Sequence, residues 1–131
     1  MIIFDIDDTI STYFRKKFFE NILQILIMKN ILRYYSQMEV LFLTSYSDRY
    51  RQETLKMISR HLNCSKNKID LTMNPYKDLK FSVKFKEQVG YDLGFKNISW
   101  VYGGDKKAAN MWQTHGIPWM PTIIKNWRDY K

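Results

Sequence analysis

The chain has 131 residues and a mass of 15.9 kDa, a size served well by one hydrophobic core and too small for a second catalytic domain. Hydrophobic residues make up 45% and charged residues 26%, which excludes a largely disordered chain. Lys and Arg total 21 against 13 Asp and Glu, so the net charge is +8 and the pI is about 9.5. A domain this basic is expected to meet something anionic, such as nucleic acid or nucleotides; the plain alternative is a lysine-rich composition with no partner behind it.

The single cysteine, Cys64, excludes an internal disulfide framework and a multi-cysteine metal site. His61 and His115 are far apart in sequence, so a zinc site built on them is not expected. The apolar runs Ile25–Met28 and Val40–Leu43 are too short to span a bilayer. The segment Met1–Asp5 carries no basic stretch ahead of its apolar residues, unlike a signal peptide. The expected setting is therefore the cytoplasm, of a cell or of an infected host, with no membrane contact.

Taken in chain order, Ile2–Phe4 is a short apolar run ending in acids, the pattern of a buried strand with a polar C-terminal end. Phe14, Phe18, Ile22 and Leu26 recur at helical spacing, which predicts one long helix from Phe14 to Tyr34. Val40–Leu43 predicts a second buried strand. Ser47 is placed to cap the next helix, which carries Leu55, Ile58 and Leu62 on one side. Ile69, Leu71 and Met73 alternate and predict a third strand, followed by an Asn74-Pro75 loop signal. A helix is predicted near Lys84–Leu93, a fourth strand at Ile98–Tyr102, and a helix from Lys106 to His115 that stops at Gly116. Pro118 and Pro121 bracket a short final segment, and residues 124–131 form a basic tail.

Strand and helix alternate about four times. This order predicts a single α/β domain over residues 1–131: three layers, with a Rossmann-like parallel sheet between helices. Ligands of such sheets bind beyond the carboxyl ends of the strands. The polar residues of interest fall there. Asp5-Ile6-Asp7-Asp8-Thr9 puts three carboxylates within four positions, where they repel one another. Alternation sets Asp5 and Asp7 on one side of an extended segment, so one can attack while the other handles a proton. The structural alternative is an acidic turn in which Asp8 or Thr9 caps the next element.

Phe4-Asp5-Ile6-Asp7-Asp8-Thr9-Ile10 resembles the first motif of the haloacid dehalogenase superfamily of phosphohydrolases. The resemblance implies that Asp5 is a nucleophile forming an aspartyl-phosphate, that Asp7 is the general acid and base, and that Mg²⁺ lies between them and the phosphate. It implies that Thr44, or its neighbour Ser45, hydrogen-bonds the transferring phosphoryl group after the second strand. Ser47–Thr54 is similar to the corresponding helix of phage polynucleotide kinase/3′-phosphatase phosphatase domains, which makes Arg49 and Arg51 candidates for facing a polyanion. The alternative is a solvated helix start with mixed charge. The family's lysine has two candidates, Lys84 and Lys86, with Lys86 favoured. Thr9 is a further substrate-binding candidate.

The fourth motif departs from the family pattern. Gly103 and Gly104 stand where one or two acids are expected after the fourth strand, followed by Asp105. Aligned without a gap, the two glycines replace the acids. Read as Gly-Asp before a short helix, Asp105 joins Asp5 and Asp7 as a metal ligand, and Asn110 falls where a second acid often stands. The resemblance covers Ile2 to about Trp119. Only one helix fits between the first motif and the second strand, which implies a minimal cap or none and an open site. No Gly-x-x-x-x-Gly-Lys-Ser/Thr stretch of a kinase half is present. The expected function is Mg²⁺-dependent phosphomonoester hydrolysis on nucleic-acid 3′-phosphate ends. Alternatives are a small nucleotidase, or a catalytically silent nucleic-acid-binding protein that keeps the fold.

Overall fold

The computed structural model describes residues 1–6, 29–30, 32–33, 38–63, 65–66, 69–75, 82–103 and 105–121. Five strands form one sheet: β1 (Ile2–Asp5), β2 (Val40–Ser47), β3 (Leu71–Asn74), β4 (Trp100–Gly103) and β5 (Trp119–Pro121). Among the described residues, three helices link the strands from β2 onward: α1 (Arg51–Leu62), α2 (Ser82–Leu93) and α3 (Lys106–Thr114). The sheet order is β3-β2-β1-β4-β5 and every neighbouring pair is parallel. The parallel α/β sheet expected from the strand–helix alternation is the observed architecture. The chain moves outward from β1 through β2 to β3, then crosses to β4 on the other side. That reversal makes the β1/β4 junction the switch point where ligands of open α/β sheets bind.

The central strand β1 is buried along its whole length. Period-two alternation splits its side chains between two cores. Ile2, Phe4 and Ile6 pack with Phe42, Leu71, Met73 and Tyr102, and with Ile58 and Leu62 of α1. Phe4 meets Phe42 edge-on at 5.5 Å between ring centroids, and Tyr102 at 5.8 Å. Burial of the Tyr102 ring pushes its hydroxyl pKa from 10.0 up to about 12, because the phenolate loses hydration there. On the opposite face, Ile3, Leu41, Leu43 and Val101 pack with Phe85 and Val89 of α2 and with Ala108, Met111 and Trp112 of α3. Helices therefore cover both faces of the sheet.

The helix termini are chemically specified. Asn63, in the left-handed conformation, closes α1 (φ 53°). Gly116 has φ 77°, a conformation that disfavours any side chain, and turns the chain from α3 into β5. His115, at the end of α3, ties that helix to α2: its Nε2 lies 2.9 Å from Glu87 Oε2, and its ring stacks on Phe95 at 3.9 Å. The position next to Lys86 is thus braced against the helix that carries Asp105.

Several boundaries differ from expectation. β2 runs four residues past Leu43, to Ser47, so Thr44 and Ser45 lie within the strand rather than after it. Ser47 caps a short 3₁₀ turn at Asp48–Tyr50, its Oγ accepting from Arg49 N, and α1 begins only at Arg51. The segment bracketed by Pro118 and Pro121 is a strand, β5, at the sheet edge. Of the predicted long helix, residues 29, 30, 32 and 33 are helical; the remainder lies outside the described residues, as does the basic tail. Among the described residues, no helix is long and apolar enough to cross a membrane.

Candidate active site

Asp5 is the last residue of β1. Its face, set by alternation, is that of Ile3, so its carboxylate stands beneath α2 and α3 rather than α1. It is fully buried. A buried carboxylate needs a partner, and α2 supplies one: Lys86 Nζ lies 2.7 Å from Asp5 Oδ2. Lys86 is itself fully buried, on the inward side of α2 with Phe85, Val89 and Gly90. Lys84 is exposed on the same helix. Residues two apart on a helix point to opposite sides, so only one of these lysines can reach the sheet. The preference for Lys86 over Lys84 agrees with this placement.

The same ammonium lies 2.9 Å from Asp105 Oδ2. Asp105 is the N-cap of α3, its Oδ1 accepting from Lys107 N at 3.1 Å. The helix N-terminus favours a negative charge at this position. Two carboxylates from two strand ends therefore converge on one cation, leaving a formal charge of −1 at a largely buried position. Taking these charges out of water is costly, and an apolar trio of similar volume would serve stability as well or better. Such an arrangement is expected where chemistry uses it.

Gly103 stands in register with Asp5 on the neighbouring strand. A Cβ on Gly103 would stand 2.8 Å from Asp5 Cβ, closer than real Cβ atoms approach one another. The glycine is thus a packing requirement of Asp5, which explains why an acid is absent from this position. Gly104 lies outside the described residues.

Thr44 and Ser45 are both buried at the end of β2, next to β1. Thr44 Oγ1 accepts from Tyr46 N at 3.2 Å. Leu43 is the register partner of Asp5, so regular alternation carries Ser45 to the face of Asp5 and Thr44 to the other. The pairing with β3 becomes irregular between Thr44 and Ser47. Arg49 is exposed, with its guanidinium 4.6 Å above the Tyr50 ring and Nη2 on Tyr50 Oη. Arg51 places Nη1 and Nη2 each 2.8 Å from the Leu71 carbonyl, on edge strand β3 and apart from the Asp5 cluster. Asn110 is exposed on α3. Asp7 and Thr9 lie outside the described residues.

Two features of this region were not foreseen from sequence. One is the role of Gly103 as the neighbour of Asp5, which depends on strand register. The other is Trp119 of β5, whose indole Nε1 is buried and lies 3.5 Å from where a Gly103 Cβ would stand. Its only sequence signal is a bulky ring between two prolines.

Asp5 and Asp105 present hard oxygen donors, the ligand type that suits Mg²⁺, and their convergence on Lys86 Nζ shows that this corner tolerates a cation between them. Comparison with family models, curated proteins and solved structures found no match to this chain.

Proposed function

We propose that the protein is a phosphomonoester hydrolase that works through an aspartyl-phosphate on Asp5, with nucleic-acid 3′-phosphate ends as substrate. The observation that carries this reading is the buried Asp5–Lys86–Asp105 cluster at the carboxyl ends of β1 and β4. Its members match, position by position, the nucleophile, lysine and metal-ligand acid that the sequence resemblance implies.

In this mechanism an Asp5 carboxylate oxygen attacks phosphorus in line, and the bond from phosphorus to the leaving oxygen breaks. Asp7 gives its proton to that oxygen. Asp7 then takes a proton from water, which attacks phosphorus, releases inorganic phosphate and restores the Asp5 carboxylate. Lys86 orients Asp5, and its charge offsets the build-up on the phosphoryl oxygens. Thr44 or Ser45 donates a hydroxyl hydrogen bond to the same oxygens. Asp5, Asp7 and Asp105 would hold Mg²⁺, which when bound supplies further positive charge at the phosphoryl group.

The charge of +8 favours a polyanionic substrate over a mononucleotide. The test compares a 3′-phosphorylated oligonucleotide with the matching 3′-mononucleotide, with Mg²⁺, at two ionic strengths. The expected result is a higher kcat/KM for the oligonucleotide, with an advantage that shrinks as salt rises, by a log–log slope of roughly −0.7 per phosphate contact. A mononucleotide preference indifferent to salt would indicate a nucleotidase. Absence of turnover of either substrate, and of a simple aryl phosphate, would overturn the hydrolase reading.

A further inference from the structure

Among the described residues, Trp119 Nε1 is a buried donor without a hydrogen-bond partner. Burying an N–H unpaired costs free energy, so its position needs a reason. Trp119 opens β5 in register with Val101, and its ring packs on the face that carries Ile3, Val101 and Asp5. One point in space relates it to the cluster. Where a Cβ on Gly103 would stand, Asp5 Cβ is 2.8 Å away, Asp5 Cγ 3.5 Å and Trp119 Nε1 3.5 Å. The bare backbone of Gly103 therefore leaves open the space between the indole edge and Asp5, the residue that the phosphohydrolase reading makes the nucleophile; both border the point a Gly103 Cβ would fill.

We propose that the indole N–H of Trp119 donates a hydrogen bond to an oxygen of the phosphoryl group held at Asp5. This inference rests on the reading of the site as a phosphohydrolase. The chemistry suits the position. Indole nitrogen is a donor only and stays protonated, so it serves an anionic acceptor at any working pH. It adds no charge to a site where Lys86 already balances carboxylates. A phosphoryl group offers several acceptor oxygens, more than Lys86 and one hydroxyl can satisfy. Trp112 provides the contrast. Its Nε1 also lacks a partner, but the ring is wholly enclosed among Ile3, Phe85, Val89 and their apolar neighbours, with Phe95 edge-on at 6.1 Å. Trp112 reads as core, and its N–H is the internal control.

The experiment follows the indole N–H signals of the ¹⁵N-labelled protein by NMR. The chain has four tryptophans, so four indole signals are expected, and the one lost in Trp119→Phe identifies Trp119. Trp119→Tyr serves the same purpose should the Phe variant fold poorly. Inorganic phosphate is titrated in the presence of Mg²⁺. The Trp119 signal is expected to move downfield and saturate, while the Trp112 signal stays in place. The folded variant is expected to bind phosphate about ten- to a hundredfold more weakly, the loss of one hydrogen bond to a charged acceptor. Its melting temperature should change far less than its phosphate affinity, as a purely structural role would not allow. If phosphate shifts the Ile6 backbone amide but leaves the Trp119 indole signal unmoved, the inference falls and the hydrolase reading stands. If phosphate does not bind and no phosphomonoester is turned over, both fall.

Discussion

The two faces of the sheet are built from the same strands and end differently. Towards α1, the row Ile2, Phe4, Ile6 is apolar to its end, and its neighbours are rings and aliphatic chains. Towards α2 and α3, the row begins with Ile3 and ends in Asp5, locked to Lys86 and Asp105. Along β1, one face is all packing. The other stops packing at the strand ends and places buried charge there. The difference is one of side-chain parity: a shift of one residue along β1 would move the carboxylate from one helix layer to the other. Adjacent residues of one strand thus serve separate purposes, and substitutions at Phe4 and Asp5 should separate stability from activity.

The sharpest break is Asp5→Asn. On the proposed mechanism, phosphatase activity falls by several orders of magnitude, because Asp5 is its nucleophile. Phe4→Leu, one residue earlier, is expected to lower stability by about 1 kcal/mol and leave kcat of the folded protein near wild type. Steady-state rates and urea melts on the two variants measure both quantities. Equal loss of activity in the two would mean the faces do not divide the labour.

Next in size is the contrast within α2. Lys86→Met should lower stability by about 3–5 kcal/mol, since it leaves two carboxylates without their shared cation, and should lower kcat roughly 10²–10³-fold. Lys84→Met, exposed on the same helix, should stay within about 0.5 kcal/mol of wild type. Chemical denaturation of the pair, with rates on whatever remains folded, compares them. A tolerant Lys86 would remove the central member of the site.

A smaller effect is expected at Gly103→Ala. The added methyl would stand 2.8 Å from Asp5 Cβ, so one strand must shift. The expected cost is about 1–3 kcal/mol, with a drop in kcat as Asp5 leaves its alignment. Thermal melts alongside Mg²⁺-dependent rates would show both. A Gly103→Ala variant with unchanged stability would argue that the strands can separate here at no cost.

The smallest effect belongs to the apolar face and appears only in alkali. The folded Tyr102 pKa, about 12, exceeds the unfolded value of 10.0. The unfolded chain then loses its proton first, so the contribution is complete below pH 10 and is lost as pH rises from about 10 to about 12. Tyr102→Phe should remove this one component of the alkaline decline and leave neutral-pH stability little changed. Urea midpoints at pH 9 and pH 11 for both proteins give the answer.

Much of this was legible in the sequence, for identifiable reasons. The apolar run Ile2–Phe4 ending in acids marked β1, because a strand buried on both faces has little room for polar residues. Asp5 was singled out because it ends an apolar strand run, and Asp105 because the resemblance allows a Gly-Asp form of the fourth motif; the structure brings both to Lys86. The decision between Lys84 and Lys86 required helix phase, which spacing alone left open until the inward face of α2 was known. β2 was read too short because Thr44–Ser47 are polar, although Thr is at home in a strand. β5 was overlooked because Pro118 precedes it and Pro121 ends it, although prolines are tolerated at a sheet edge. Arg51 was read as a polyanion contact; no local pattern encodes its attachment to the Leu71 carbonyl, which depends on how α1 lies against β3.

The sheet order also sets a timetable. β1 is first in the chain yet central in the sheet, with Ile2 registered against Val40 on one side and Trp100 on the other. Half of its hydrogen-bonding edge must wait for β4, a strand remote in sequence. Such long-range pairing slows folding, since a large loop must close before the contact rewards it. During synthesis an intermediate of β1, β2 and β3 can form early, with one flank of β1 uncovered. The arrival of β4 seals that flank and brings Asp105 to Asp5 in the same event. The charged cluster therefore cannot assemble before β4 has paired with β1 and brought Asp105 to Lys86.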